Sequence, residues 1–275
     1  MYLIEAVFNW QPSATKDLSQ ASYYVNQIIE QWRYNGQIIG REIPLFMAQS
    51  TESHPSNTSK EYALVVRCVC PAQQSLLPEF NNISVNNALN HAQEQGIYFD
   101  SFQVLAQDLN SDRTYAGDKP EWQLLYTTYL QSCSPLHSGE DNNGEEFLPI
   151  PLYHYFKDIP HLAMDIIKWQ ENWQAYDQLQ MNATTLETQA LNEISDVHSG
   201  LFKHGYALCK EIEEHTGIPT YYYLYRVGGE SLEQEQQRKC PLCAQNWLLE
   251  KTYFNVLHFK CDHCRIVSNL SWNWV

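Results

Sequence analysis

Four cysteines late in the chain carry its clearest chemistry. The stretch RKCPLCAQNWLLEKTYFNVLHFKCDHCRIV, Arg238 to Val267, holds two Cys-x-x-Cys pairs, Cys240 with Cys243 and Cys261 with Cys264, seventeen residues apart. Thiols spaced this way suit a disulfide, a thioredoxin-type redox couple or a metal. Eight cysteines in 275 residues are too few for a disulfide scaffold. The opening MYLIEAVFNW has no basic leader followed by an apolar stretch, so the expected compartment is the reducing cytoplasm, where disulfides are rare. A redox pair belongs at a helix start after a βα unit, whereas the spacer AQNWLLEKTYFNVLHFK alternates as a hairpin does. A hairpin between two knuckles brings four thiolates to one tetrahedral Zn²⁺, which takes sulfur at about 2.3 Å without any d-electron preference. Four cysteines fill every coordination position, so the expectation is one structural Zn²⁺ with no water ligand. Its ligation would help fold a tail too short for its own core. Lys239, Lys260 and Arg265 beside the knuckles favour the thiolate form. His258 and His263 lie close by and are read as surface residues.

This tail resembles a zinc ribbon of the rubredoxin-like type. Together with GIPTYYYLYR (Gly217 to Arg226), the runs RKCPLCAQNWLL and FKCDHCRIVSNLSW are similar to those of a bacterial family. Its members are zinc-ribbon-containing proteins of unknown function for which nucleic-acid binding has been suggested. The resemblance covers most of the chain. It implies Cys240, Cys243, Cys261 and Cys264 as the ligands, and nucleic acid or a nucleic-acid-handling protein as the partner. Ribbon knuckles often place Gly after the second Cys. Ala244 and Arg265 stand there instead, where a left-handed backbone would be strained.

Charge limits the partner. The chain carries −15 overall, but from Arg238 onward five cations oppose two anions, so the tail is +3 and the preceding 237 residues carry −18. An acidic body with a mildly basic tail is poorly suited to long-range attraction of a polyanion. If the ribbon binds nucleic acid, the expected contacts are Lys239, Lys251, Lys260 and Arg265, with Trp247, Trp272 and Trp274 as stacking surfaces. The alternatives are a protein–protein interaction module without nucleic-acid contact, and an enzyme with a pocket between two α/β regions. No catalytic residues are nominated. His91, His154, His161, His198, His204 and His215 are scattered, and no phosphate loop, nucleophile elbow or H-E-x-x-H occurs. Cys68, Cys70, Cys133 and Cys209 are read as buried packing.

The elements that must position these residues follow from periodicity. Residues 1–110 read as β-α-β-β-α-β, the order of a ferredoxin-like domain. Its strands are YLIEAVFN, IPLFMAQS, EYALVVRCVC and SFQVLAQDL, with helices from Lys16 to Gly36 and from Val85 to Gln95. An RNA-recognition motif shares this order but needs aromatics in the centre of its third strand, and EYALVVRCVC has none. Turn formers from Asn110 to Pro120 mark a boundary. Residues 120–228 read as a second α+β region: a strand in WQLLYTTYLQS, an exposed loop from Ser134 to Glu146, and an edge or extended segment in FLPIPLYHYF. Two long helices, about 159–179 and 186–215, then precede a strand in TYYYLYRV, whose tyrosines are read as core. Gly228-Gly229 and a Gln/Glu-rich linker lead to the ribbon at 238–275. The fold class is therefore α+β. No apolar run approaches the roughly 18 residues of a membrane span, and the oligomeric state is not legible.

Overall fold

The computed structural model describes residues 1–11, 17–40, 43–49, 62–109, 111, 113–139 and 148–271. The chain is a mixed α/β protein that divides into two compact units. The first comprises residues 1–114, 132–134 and 151–164, and the second 115–131, 135–150 and 165–275.

The first unit is built around β1 (Tyr2–Trp10), α1 (Leu18–Tyr34), β2 (Leu45–Gln49), β3 (Tyr62–Cys70), α2 (Ile83–Glu94) and β4 (Ile97–Gln107). Its four strands lie in the order β2-β3-β1-β4, every neighbouring pair antiparallel. Local chemistry sets the helix ends. Asp17 accepts from the Gln20 N–H at 2.8 Å and Asn82 from the Val85 N–H at 2.8 Å, satisfying donors that each first turn leaves open. Gly36, the expected stop of α1, sits at φ +77°, a conformation L side chains rarely adopt. On α1 the buried positions are Ala21, Val25, Ile28, Ile29 and Trp32, one stripe of a 3.6-residue period. They pack against Ile4, Ala6 and Phe8 of β1 and Leu64, Val66 and Cys68 of β3. Burying each large apolar side chain contributes about 1.5–3 kcal/mol. Cys68 and Cys70 lie in this core with sulfurs 3.8 Å apart, consistent with packing. Glu61 and the polar run 51–60 lie outside the described residues.

FLPIPLYHYF is not extended throughout: α3 (Tyr153–Phe156) is a single helical turn after Pro151, whose carbonyl accepts from the His154 N–H. Tyr153 reaches the Ser75 hydroxyl at 3.0 Å, which fixes this turn within the first unit.

The second unit holds a six-stranded sheet in the order β6-β5-β7-β10-β9-β8. Its strands are β5 (Gln123–Leu125), β6 (Leu136–Ser138), β7 (Thr220–Leu224), β8 (Leu248–Tyr253), β9 (Leu257–Cys261) and β10 (Ile266–Asn269). β7 pairs in parallel with both β5 and β10, and the other pairs are antiparallel. β8, β9 and β10 therefore continue the sheet of the preceding region, joined to it through β10. WQLLYTTYLQS is strand only over three residues. Beyond them, Gln174 binds the carbonyls of Thr128 and Gln131, and Asp177 accepts from the Tyr129 N–H, so side chains replace a sheet partner.

The helices here are α4 (Pro160–Met181), which begins among residues of the first unit, α5 (Glu187–Ser195), α6 (Gly200–Thr216) and α7 (Leu232–Gln236). The expected helix over 186–215 is broken in two. Asp196 turns extended, and Ser199 caps a new helix by accepting from the Phe202 N–H at 3.0 Å. Gly205 lets α6 approach closely, since a Cβ there would lie 2.3 Å from Trp169 and 2.4 Å from Tyr222. All five residues of β7 are buried, as expected of an interior strand with parallel neighbours. Tyr221 meets Trp122, Tyr222 meets Trp169 and Phe202, and Tyr223 meets Tyr126 and Trp173. Among the described residues, no helix is long and apolar enough to cross a membrane.

Candidate metal centre

The hairpin β8–β9 and strand β10 bring the two knuckles together. Within the first knuckle the Ala244 N–H donates to the Cys240 carbonyl at 2.8 Å, and the Cys240 N–H to the Gln245 carbonyl at 2.9 Å. The Sγ atoms of Cys240, Cys243, Cys261 and Cys264 all lie within 4.8 Å of one another, and Cys243 and Cys261 are 3.7 Å apart. Tetrahedral thiolates about 2.3 Å from a shared ion would stand about 3.8 Å from each other. The donor set therefore fits a metal, and it is the one such group among the described residues. Cys243 is the least buried of the four. A hydrogen bond from the Gln245 backbone holds its thiol below the ordinary range, whereas burial pushes Cys261 and Cys264 up. His258 and His263 stay outside the cluster. His258 engages the hairpin backbone through Nδ1, and His263 is exposed.

Both knuckles adopt the left-handed backbone without glycine, with Ala244 at φ +59° and Arg265 at φ +52°. Each costs about 1–2 kcal/mol. At Arg265 the side chain offers compensation. Its guanidinium meets both carboxylate oxygens of Glu213 on α6 at 3.1 Å, donates to the Asp262 carbonyl at 2.8 Å, and touches the Tyr221 hydroxyl at 3.3 Å. Burial pushes the Glu213 carboxyl up, but hydrogen bonds from Arg265 and the Thr220 N–H outweigh it and hold the group below its usual range. Tyr206 donates to the Cys264 carbonyl at 3.0 Å, and Tyr221 to Asp262 at 2.6 Å. The second knuckle is thus bound to α6 and β7.

The residues expected to contact nucleic acid are scattered by this arrangement. Lys239 and Lys251 are exposed, Lys239 donating to Asn246. Lys260 is half-buried and ion-paired with Asp262, its ammonium 4.5 Å from the Tyr221 ring centroid and 5.3 Å from that of Trp122. Arg265 is committed to Glu213. Trp247 is 3% exposed, packed on Phe259 with its indole N–H on the Arg238 carbonyl, so its ring faces are not a stacking surface. Trp272 and Trp274 lie outside the described residues.

Sequence reasoning missed a buried charge cluster in the supposed linker. The segment forms α7, whose Glu235 is buried between Arg226 and Arg238. Arg238 also lies over the rings of Trp247 and Phe259 and bonds Ser268 and the Asn269 carbonyl of β10. Burial pushes its pKa down to about 10, against the pull of Glu235. The one available signal was the pairing of isolated arginines, Arg226 and Arg238, around an acidic helical run.

Three families match successive parts of the chain, each described as a domain of unknown function: DUF8589 over residues 1–106, DUF2310 over 117–225 and DUF8594 over 229–274. No solved structure matches. A Haemophilus influenzae protein named "Uncharacterized protein" is 54% identical over 275 residues, covering 100% of both chains. A second H. influenzae protein of the same name is 61% identical over 180 residues, covering 66% of this chain and 86% of that one. With identity at that level along its whole length, the chain belongs to the family of these H. influenzae proteins, built from the three domains of unknown function.

Proposed function

We propose that Cys240, Cys243, Cys261 and Cys264 hold one structural Zn²⁺ in a closed zinc ribbon, and that the protein is a non-enzymatic cytoplasmic adaptor. The convergence of four sulfurs within 4.8 Å carries the reading. An all-thiol set leaves no position for a reactive water, and zinc is the ion such sets suit best. The bound ion would fix the two knuckles and, through Arg265 and Glu213, the end of the six-stranded sheet. The β-α-β-β-α-β order and the β2-β3-β1-β4 antiparallel sheet support a ferredoxin-like reading of the first unit. Metal analysis of purified protein should give about one equivalent of zinc per chain, and Cys261→Ser should lose it. Retained zinc in that variant would overturn the assignment.

Engagement of Lys260 and Arg265 by neighbouring carboxylates favours a protein partner over nucleic acid. The nucleic-acid reading keeps two exposed lysines, Lys239 and Lys251. Fluorescence anisotropy with single-stranded DNA and RNA at two ionic strengths separates the two. Negligible binding at physiological salt is expected. Tight binding abolished by Lys239→Glu with Lys251→Glu would replace the adaptor reading with the nucleic-acid one.

A further inference from the structure

The eight cysteines divide by access. Seven are buried, and Cys243 alone is partly exposed. Its neighbours do not screen it: Pro241, Leu242, Ala244, Gln245 and Asn246 are all exposed, so the first knuckle is open to small solutes. The two knuckles also differ in how they are held. The backbone bonds of the first, from Ala244 to Cys240 and from Cys240 to Gln245, close within the knuckle itself. The second is bonded to α6 and β7 through Tyr206, Arg265 and Asp262. One side of the four-thiol cluster is therefore anchored to the sheet, and the other faces solvent.

We propose, resting on the zinc assignment, that Cys243 is an oxidation site for hydrogen peroxide and that its oxidation ejects the ion. Metal ligation holds cysteine as thiolate at neutral pH, the form that attacks a peroxide. The Cys243 sulfur attacks one peroxide oxygen: an S–O bond forms, the O–O bond breaks and hydroxide leaves. One of the other three sulfurs, all within 4.8 Å, then attacks the sulfenic sulfur. An S–S bond forms, the S–O bond breaks and a second hydroxide leaves. Two thiolates have lost two electrons and one peroxide has gained them. The disulfide removes two of the four anionic ligands, and the remaining pair cannot retain the ion. Oxidation follows exposure, so the buried thiols of the first sheet and of α6 are spared. Charge selects the oxidant. A chain carrying −15 repels anionic oxidants but does not hinder a neutral peroxide.

The test exposes the full zinc-loaded chain to hydrogen peroxide, following zinc with a chromogenic chelator and thiols by mass spectrometry. About one zinc per chain should be released as two thiols are lost, with no release when peroxide is omitted. The first disulfide should contain Cys243, and dithiothreitol with added zinc should reverse the change. Cys243→His keeps a Cys₃His ligand set and should release zinc at least about tenfold more slowly. If that variant binds no zinc, brief alkylation of the zinc-loaded wild type decides, with Cys243 the first residue labelled. Zinc retained while thiols oxidise, a first disulfide lacking Cys243, unchanged release in Cys243→His, or another ligand labelled first overturns the proposal and leaves the metal assignment standing. A chain that takes up no zinc overturns both.

Discussion

The two sheets of this protein are held together in opposite ways. The first uses consecutive elements and an apolar core, with Trp32, Phe8 and Ile28 fully buried and its ion pair between Arg67 and Glu5 at the surface. The second gathers strands from residues 123 to 269 and ties one end with buried polar groups: Glu235 between two arginines, Asn269 on the Arg226 backbone, and the four thiols. In the first unit neutral amides, Asn35 and Gln37, are buried beside the apolar core, and they bond to each other and to the Ser75 carbonyl. Where a sheet is closed by a short polar segment, charge pairing and the proposed ion take over.

That contrast can be broken most severely at the metal. Chelation, or Cys261→Ser, should strip amide hydrogen-exchange protection from β9, β10 and β7 while β1 and β3 keep theirs. Loss of protection confined to the hairpin β8–β9 would show that the sheet holds without the ion. Next in size is Glu235→Ala, which leaves Arg226 and Arg238 without their buried partner and should cost about 3–5 kcal/mol by urea denaturation. Arg67→Ala at the surface pair of the first sheet should cost less than about 1 kcal/mol. Equal costs would erase the distinction drawn here.

An effect between those two is expected at Gly205, where alanine must displace both the Trp169 and the Tyr222 rings and should cost about 1–3 kcal/mol. Ala244→Gly goes the other way. Relief of the left-handed backbone should stabilise the protein with the proposed metal bound by roughly 1 kcal/mol, read as a small rise in Tm. Smallest is a pH effect. Glu213 and Asp262 are held below the usual carboxylate range, so their stabilisation is present at neutral pH and is lost as pH falls through their lowered pKa values. Both are substantially exposed, which keeps the contribution modest. Glu213→Gln should flatten the acid limb of the stability curve, and an unchanged limb would remove Glu213 from the account.

How much of this was legible depended on where the stabilising contacts lie in the chain. The strands and helices of the first unit emerged because each displays its own periodicity, even though β1 pairs with β3 and β4 from 52 to 105 residues away. The four cysteines were legible because ligand spacing is itself a local pattern. The break at Asp196 to Ser199 was signalled by a capping serine before glycine, but the continuous apolar stripe hid it. The shortness of β5 could not be read, because Gln174 and Asp177 replace its partner from some fifty residues away. Arg265 was read as a free cation for the same reason, since its partner Glu213 lies 52 residues earlier.

The parallel pairing of β7 with β10 carries a consequence for the order of events during synthesis. The first sheet has all its strands once residue 107 has been made, and its pairings can form while translation continues. β7 waits longer. It is an interior strand whose second hydrogen-bonding edge is supplied by residues 266–269, so that edge stays unpaired until more than forty further residues have been added. During that interval the open edge of the tyrosine-rich strand is available for wrong pairing, and supply of the proposed metal would set how quickly the interval ends.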